Sequence, residues 1–422
     1  MLLLLHTFGR KREGGTNVIE QGTKAYWRAV IALSLASYFV FAMIYLTQPL
    51  LPLFTDQFQI SPATASLSLS IVTFSISLSL LIYGPISDAI GRKSIMNWTM
   101  FGAVAMTVVC GFATNYYWLL TFRALQGFFL AGLPAIAMAY MSEEFSPGAL
   151  SLGMGMYISA NSLGGMSGRL SSGVIADLWG WKASFFVIGI ISLGFVFSFH
   201  KLLPPSKRFQ KIPFHFREAT NAMIEHVKNR TLRVAFLIGG LHFFVFLGSF
   251  NYMTFRLSAD PYNLSPTFLG LLFLTYFAGS IGSTVAGRLS QRWGKMSCLK
   301  VGIILLALGL ICTLHPSLIV ILIGLILICF SFFFSHSLSA SWVNSHVMFA
   351  RASASSLYLV SYYLGGSLGS VYLGWFWNVW RWPGVVLGDL LILTITFTGC
   401  WYLRNVEKRE EQTEDFMLRR SG

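Results

Sequence analysis

Ionisable side chains are scarce in the apolar stretches of this chain, so the few that fall there mark where chemistry has to be sought. Arg123 lies in Leu120-Thr121-Phe122-Arg123-Ala124-Leu125-Gln126-Gly127, and Arg169 closes Asn161-Ser162-Leu163-Gly164-Gly165-Met166-Ser167-Gly168-Arg169. An arginine is expensive in hydrocarbon, so both are expected to face protein, hydrogen-bonded to carbonyls or polar side chains. His242, His336 and Asp389 also sit in apolar runs and are candidates for carrying a proton, the histidines because imidazole titrates near neutral pH. Tyr157, Asn161, Gly165 and Gly168 recur at i, i+4, i+8 and i+11, which places them on one helical stripe, with Arg169 a turn beyond Gly165. A polar stripe of this kind is expected to face a cavity. Gln48, Tyr157, Asn161 and Arg169, with Tyr358, Tyr362 and Tyr363 from an opposite wall, are therefore candidate substrate contacts, the amides and phenols suited to hydroxyl groups.

The elements that position these groups follow from composition. The 422 residues are 55% hydrophobic and only 11% charged, and the mean hydropathy is +0.65, far too apolar for a soluble surface. Twelve runs approach the ~20 residues needed to cross a bilayer: about 28–53, 65–85, 95–114, 118–141, 152–175, 183–202, 233–255, 267–288, 298–314, 318–341, 354–376 and 384–403. Continuous apolar runs without the alternation of barrel strands predict an all-α membrane protein. Of 30 Lys and Arg, 25 fall on the side of the termini and three on the other, which predicts that both termini are cytoplasmic. The net charge of +14 is thus topological, and nucleic acid need not be invoked. Met1–Leu5, followed by Arg10, Lys11 and Arg12, is too short for a signal-peptide core and reads as a cytoplasmic lead-in. The five cysteines show no metal-ligand spacing and read as packing residues.

The two halves of the chain repeat. Ser61-Pro62 matches Ser265-Pro266, and Gly84 and Gly91 match Gly287 and Gly294. Tyr157, Leu163, Gly164, Gly165, Gly168 and Gly173 match Tyr358, Leu364, Gly365, Gly366, Gly369 and Gly374, and Trp179 and Trp181 match Trp380 and Trp382. The division expected is an N-terminal segment 1–27, a six-helix half 28–202, a basic linker 203–232 with a short surface helix within 217–230, a second half 233–403 and a tail 404–422. Two such halves imply a pseudo-twofold axis along the membrane normal and a cavity between them.

Gly84-Pro85-Ile86-Ser87-Asp88-Ala89-Ile90-Gly91-Arg92-Lys93 resembles the loop signature between the second and third helices of the major facilitator superfamily, with Ala89 where a basic residue is usual. The resemblance covers nearly the whole chain and implies the twelve-helix fold of that family. It implies a conformational latch made of Gly84, Asp88, Gly91 and Arg92, with Glu143 and Glu144 where an acid often pairs with the latch arginine. Charge-assisted bonds there would exist in one rocking state only. The run around Arg123 looks like the family's second motif and implies a part in proton coupling. The helix around Gly164 is similar to the Gly-rich signature of the antiporters, with Asn161 in place of a proline. Within the family, the strings Thr47-Gln48-Pro49-Leu50-Leu51-Pro52, Ser142-Glu143-Glu144 and Ser361-Tyr362-Tyr363-Leu364-Gly365 most resemble bacterial YnfM-type permeases, grouped with arabinose-efflux and drug:proton antiporter relatives.

The expectation is a secondary transporter in the inner membrane of a bacterium, monomeric and free of cofactors, exporting small amphipathic or hydrophobic compounds in exchange for protons. Arg123, His242, His336 and Asp389 are its candidate coupling residues. Little intramembrane acid and two arginines disfavour strongly cationic cargo. Transport of a sugar, an amino-acid derivative or another metabolite is the alternative. An enzyme is not expected: the sequence offers no paired haem-type histidines, no nucleophile with its base and no GxxxxGK[ST] loop.

Overall fold

The computed structural model describes residues 18–209, 216–347, 349 and 351–421, with side chains except at 216–220, 222, 351–352 and 410–421. The basic cluster Arg10–Arg12 and Lys211 lie outside the described residues. Twelve helices cross the bundle: α1 Lys24–Phe58, α2 Pro62–Ile90, α3 Arg92–Cys110, α4 Tyr116–Glu144, α5 Pro147–Trp179 and α6 Trp181–Leu202. After a linker helix, Phe216–Lys228, come α7 Arg230–Ser258, α8 Pro266–Trp293, α9 Lys295–Cys312 and α10 Leu318–His346. The last two, α11 (351–380) and α12 (382–421), meet at Arg381. Among the described residues nine spans are long and apolar enough to cross a membrane by length and composition; α3 and α5, richer in polar and small residues, and the division at Arg381 make twelve. Most helices overrun the apolar runs that announced them, α3 and α9 end a few residues short of theirs, and the tail beyond 403 continues α12 as helix.

Local chemistry explains the ends. Thr23, Ser61 and Asn115 cap α1, α2 and α4, each side chain accepting from a backbone N–H in the first turn. Helix α1 is broken between Leu46 and Leu50, where Pro49 and Pro52 each remove an N–H and crowd the preceding turn. The halves repeat at their corners: one residue with positive φ separates α2 from α3 (Gly91, 124°), α8 from α9 (Gly294, 78°), α5 from α6 (Gly180, 81°) and α11 from α12 (Arg381, 53°).

The glycine repeat is realised as pairs of equivalent contacts. A Cβ on Gly164 or Gly168 would run into the backbone of Tyr38 or Ala42 in α1, and one on Gly365 or Gly369 into that of Gly240 or Phe244 in α7. One turn further, Gly173 lies against Pro266 at the start of α8, and Gly374 against Ala63 at the start of α2. Small residues thus let α5 and α11 approach a partner in their own half along most of their length, and the opposite half at one end. Gly168 was expected on the cavity-facing stripe. It belongs instead to the packing face, because four-residue spacing from Gly164 puts both against α1. Gly168→Val is expected to cost about 1–3 kcal/mol by overpacking, while Gly155→Ala, where a Cβ meets nothing within 4 Å, should be neutral or mildly stabilising; thermal midpoints of the detergent-solubilised variants compare the two.

Candidate functional site

Arg169 sits ten residues before the end of α5, roughly 15 Å along the helix from the face opposite the termini. It is 1% exposed. Its Nε donates to Gln48 Oε1 (2.7 Å), Nη1 to the Gly165 carbonyl (2.8 Å) and Nη2 to the Tyr276 hydroxyl (3.1 Å). The rings of Tyr45, Phe273 and Tyr276 enclose the guanidinium with centroids 3.9, 4.4 and 4.9 Å away. Gln48, freed from regular helix by the break in α1, passes the chain on: its Nε2 donates to Asn251 Oδ1 (2.7 Å), and Asn251 Nδ2 to Ser370 Oγ (2.7 Å). Tyr276–Arg169–Gln48–Asn251–Ser370 is a continuous polar layer that crosses between the halves twice, from α5 to α8 and from α1 to α7.

Below this layer, toward the termini, the walls are aromatic and weakly polar. On the first half Asn161 accepts from Ser37, and Tyr157 lies beside the same serine, two to three turns from Arg169. On the second half Tyr362 stacks on Phe243 (centroids 3.9 Å) and meets His336 (4.7 Å), while Phe246 stacks on Phe332 (3.9 Å). His336 Nδ1 shares a hydrogen bond with the Tyr358 hydroxyl (3.0 Å). Tyr358 therefore turns into its own half, its ring against Gly239, and does not stand directly opposite Tyr157. Tyr363 is buried and lies within electrostatic reach of Tyr45 and Tyr157 in the other half.

The remaining candidates separate from this layer. Arg123 is fully buried and uses its five N–H groups without meeting an acid: on the carbonyls of Ser68 (3.0 Å), Met43 (3.0 Å) and Ile44 (2.8 Å), on Gln126 Oε1 and on Thr47 Oγ1 (3.4 Å). Gln126 in turn donates to Thr107 Oγ1 (2.5 Å). The arginine closes the gap in the α1 ladder that the prolines open. Asp389 is buried between α12 and α7, where Ser249 donates to Oδ2 (2.6 Å) and Oδ1 has no partner. His242 bonds the Ile238 carbonyl through Nδ1 (2.8 Å).

The loop between α2 and α3 is held by Arg92, which pairs with Asp88, binds Glu143 through Nη2 (2.6 Å) and donates to Ser87 Oγ (2.6 Å). Every one of these partners belongs to the first half, so the bonds do not themselves bridge the halves. Glu144 does not join them. Next in sequence, it points about 100° round the helix from Glu143 and accepts from the Arg208 backbone N–H of the linker (2.9 Å). Gly84 and Gly287 both face open space, while Gly91 lies by Phe209 of the linker.

Sequence reasoning missed Tyr45, Asn251 and Tyr276. Asn251 had a signal: it stands 203 residues after Gln48, within the offsets of the repeat. A surface groove of about 660 Å³ runs between α1, α5 and α6 past Tyr38, Ala42, Ser171 and Phe195, and has no ionisable group in its lining apart from the Tyr38 phenol. Among the described residues no cluster of His, Cys, Asp and Glu is arranged to hold a metal ion.

Residues 33–370 match the sequence model of the Major Facilitator Superfamily. The inner membrane transport protein YnfM of Escherichia coli is 38% identical over 89% of this chain and 90% of its own length. An uncharacterized transporter of Buchnera aphidicola from Schizaphis graminum is likewise 38% identical, over 89% and 92%. In three dimensions the chain resembles a bacterial homologue of the human lysosomal transporter Spinster, solved in an inward-facing and occupied conformation, with a TM-score of 0.73 at 16% identity over 90% of this chain and 96% of that one. The human organic anion transporter MFSD10 aligns with a TM-score of 0.68 at 16% identity, over 89% and 99%.

Arg123→Lys replaces a planar five-donor fork by a point charge with three donors and strands carbonyls of α1 and α2. It is expected to lower stability by about 2–4 kcal/mol, read as a shifted midpoint in denaturant unfolding of the reconstituted protein, with the substituted protein retaining less α1 order in hydrogen exchange.

Proposed function

This chain belongs to the major facilitator superfamily, and we propose that it exports small amphipathic compounds in exchange for protons, as a monomer in a bacterial inner membrane with both termini in the cytoplasm. Membrane transport of small molecules, not enzymatic catalysis, is what the family and the relatives share. The observation that carries the finer reading is the polar layer around Arg169, about two-thirds of the way along α5 from the termini side, shared by both halves and floored by aromatic rings.

The contacts between the halves support an inward-open state. The hydrogen bonds that join them among the described residues include those of the Arg169 layer and those of Asp177 in α5. Asp177 Oδ2 accepts from Ser265 Oγ (2.7 Å) and Thr267 N (2.9 Å) at the start of α8. All of these lie toward the end away from the termini. Cargo entering from the termini side would meet Asn161, Tyr157, Tyr362 and His336 before the Arg169 layer. His336, bonded to Tyr358 and stacked beside Tyr362, is the titratable group best placed for a proton to follow cargo, with His242 and Asp389 behind it in the second half. Arg123, with its donors committed to carbonyls and neutral side chains, would act on coupling only by holding the shape of α1. The Gln48–Asn251–Ser370 relay favours a second reading, transport of a hydroxylated metabolite such as a sugar, because amides and hydroxyls suit such ligands.

Proteoliposomes loaded with a pH-sensitive dye and placed under a pH gradient test the coupling. Adding cargo from a panel of dyes, drugs and sugars should start proton movement that depends on cargo and is abolished in His336→Ala. Cargo movement with no proton flux would mean a different coupling and would remove His336, His242 and Asp389 from the proton path.

A further inference from the structure

The charge balance at the Arg169 layer says more about the cargo. Of the five N–H groups of a guanidinium, Arg169 commits three, which leaves one donor on each terminal nitrogen. Its bonding partners are all neutral: an amide, a carbonyl and a phenol. Asp389, the acid buried at the core of the membrane-spanning helices, is engaged with Ser249 between α7 and α12, and Asp177 is exposed at the far end. The rings of Tyr45, Phe273 and Tyr276 offset part of the charge but supply no anion. A guanidinium buried at 1% exposure with an aromatic collar and no carboxylate is a half-built ion pair.

We infer that the cargo is an organic carboxylate with an aromatic or aliphatic body, and that its carboxylate completes Arg169 by displacing the Tyr276 hydroxyl. The inference rests on the transporter reading above and adds the chemical class of what is carried. A carboxylate matches the planar fork of arginine and takes two N–H groups at once. The apolar body then lies toward the termini, against Tyr362, Phe246 and Phe332, which stack within the second half. Tyr276 belongs to α8 and Arg169 to α5, so this displacement removes one of the bonds that tie the halves together at the far end. Loading the anion and loosening the closed end become one event. A neutral amide of the same shape could not make the exchange, and an amine would be repelled.

Matched sets separate the outcomes: phenylbutyrate, phenylbutyramide and phenylbutylamine, and octanoate, octanamide and octylamine, each assayed for movement into proteoliposomes above that into protein-free vesicles. Saturable movement of the acids at least about tenfold faster than of their amides is expected. Arg169→Gln should erase that preference. Tyr276→Phe, which keeps the charge and removes the competing hydroxyl, should lower the apparent KM for the acids about threefold, a change of affinity that a misfolded protein would not give. Amides or amines carried as well as the acids would overturn the carboxylate inference and leave the export reading intact, as would an acid preference that survives Arg169→Gln. Folded wild-type protein that moves no member of either set under a pH gradient would overturn both.

Discussion

A guanidinium in a hydrocarbon bundle has to find acceptors for five N–H groups, and two arginines meet that demand in opposite ways. Arg123 satisfies it completely from carbonyls and neutral side chains of α1, α2 and α4. It becomes part of the scaffold, the piece that makes a proline-broken α1 tolerable in lipid, where unsatisfied backbone groups cost several kcal/mol. The break it supports releases Gln48 from regular helix, and Gln48 in turn holds Arg169. Arg169 is left short of acceptors at a level where both halves meet. Scaffold and site are consecutive solutions to a single electrostatic problem.

The repeat distributes the remaining work. Equivalent glycines pack α5 on α1 and α11 on α7, and their neighbours Gly173 and Gly374 bring the same helices against the other half. What the repeat does not copy is charge. Arg169 corresponds to Ser370, so one half supplies the cation and the other the terminal hydroxyl of the same polar chain. Asp177 corresponds to Asn378 in the same way. Equivalent packing in the two halves thus carries different chemistry at the polar layer.

The helical architecture was largely legible in the sequence because hydrophobic length and the glycine register are local signals. The break in α1 at Pro49 was not read in advance, since the apolar run 28–53 continues through both Pro49 and Pro52. The site was legible in part. Arg169, Gln48 and Asn161 were reached from residue type and helical spacing, and the structure brings Gln48 and Arg169 together while Asn161 stands apart beside Ser37. Tyr45 and Tyr276 could not be reached that way, since which aromatic ring meets a given cation depends on the packing of three helices. Glu144 and Gly168 show the other limit: each lies one helical step from a residue with a different task, and only the neighbouring helix decides which face is which. The donors of Arg123 were invisible for the same reason, because its acceptors are carbonyls that every sequence possesses.

The four one-residue corners at Gly91, Gly180, Gly294 and Arg381 bear on mechanics. A loop of several residues lets two helices slide or pivot independently; a single residue with a fixed positive φ leaves almost no slack. Each such pair, α2 with α3, α5 with α6, α8 with α9 and α11 with α12, is in effect one folded rod. Slack is thereby removed from two connections in each half. A ligand that alters a bond across the seam between the halves therefore pulls on paired helices and not on single ones.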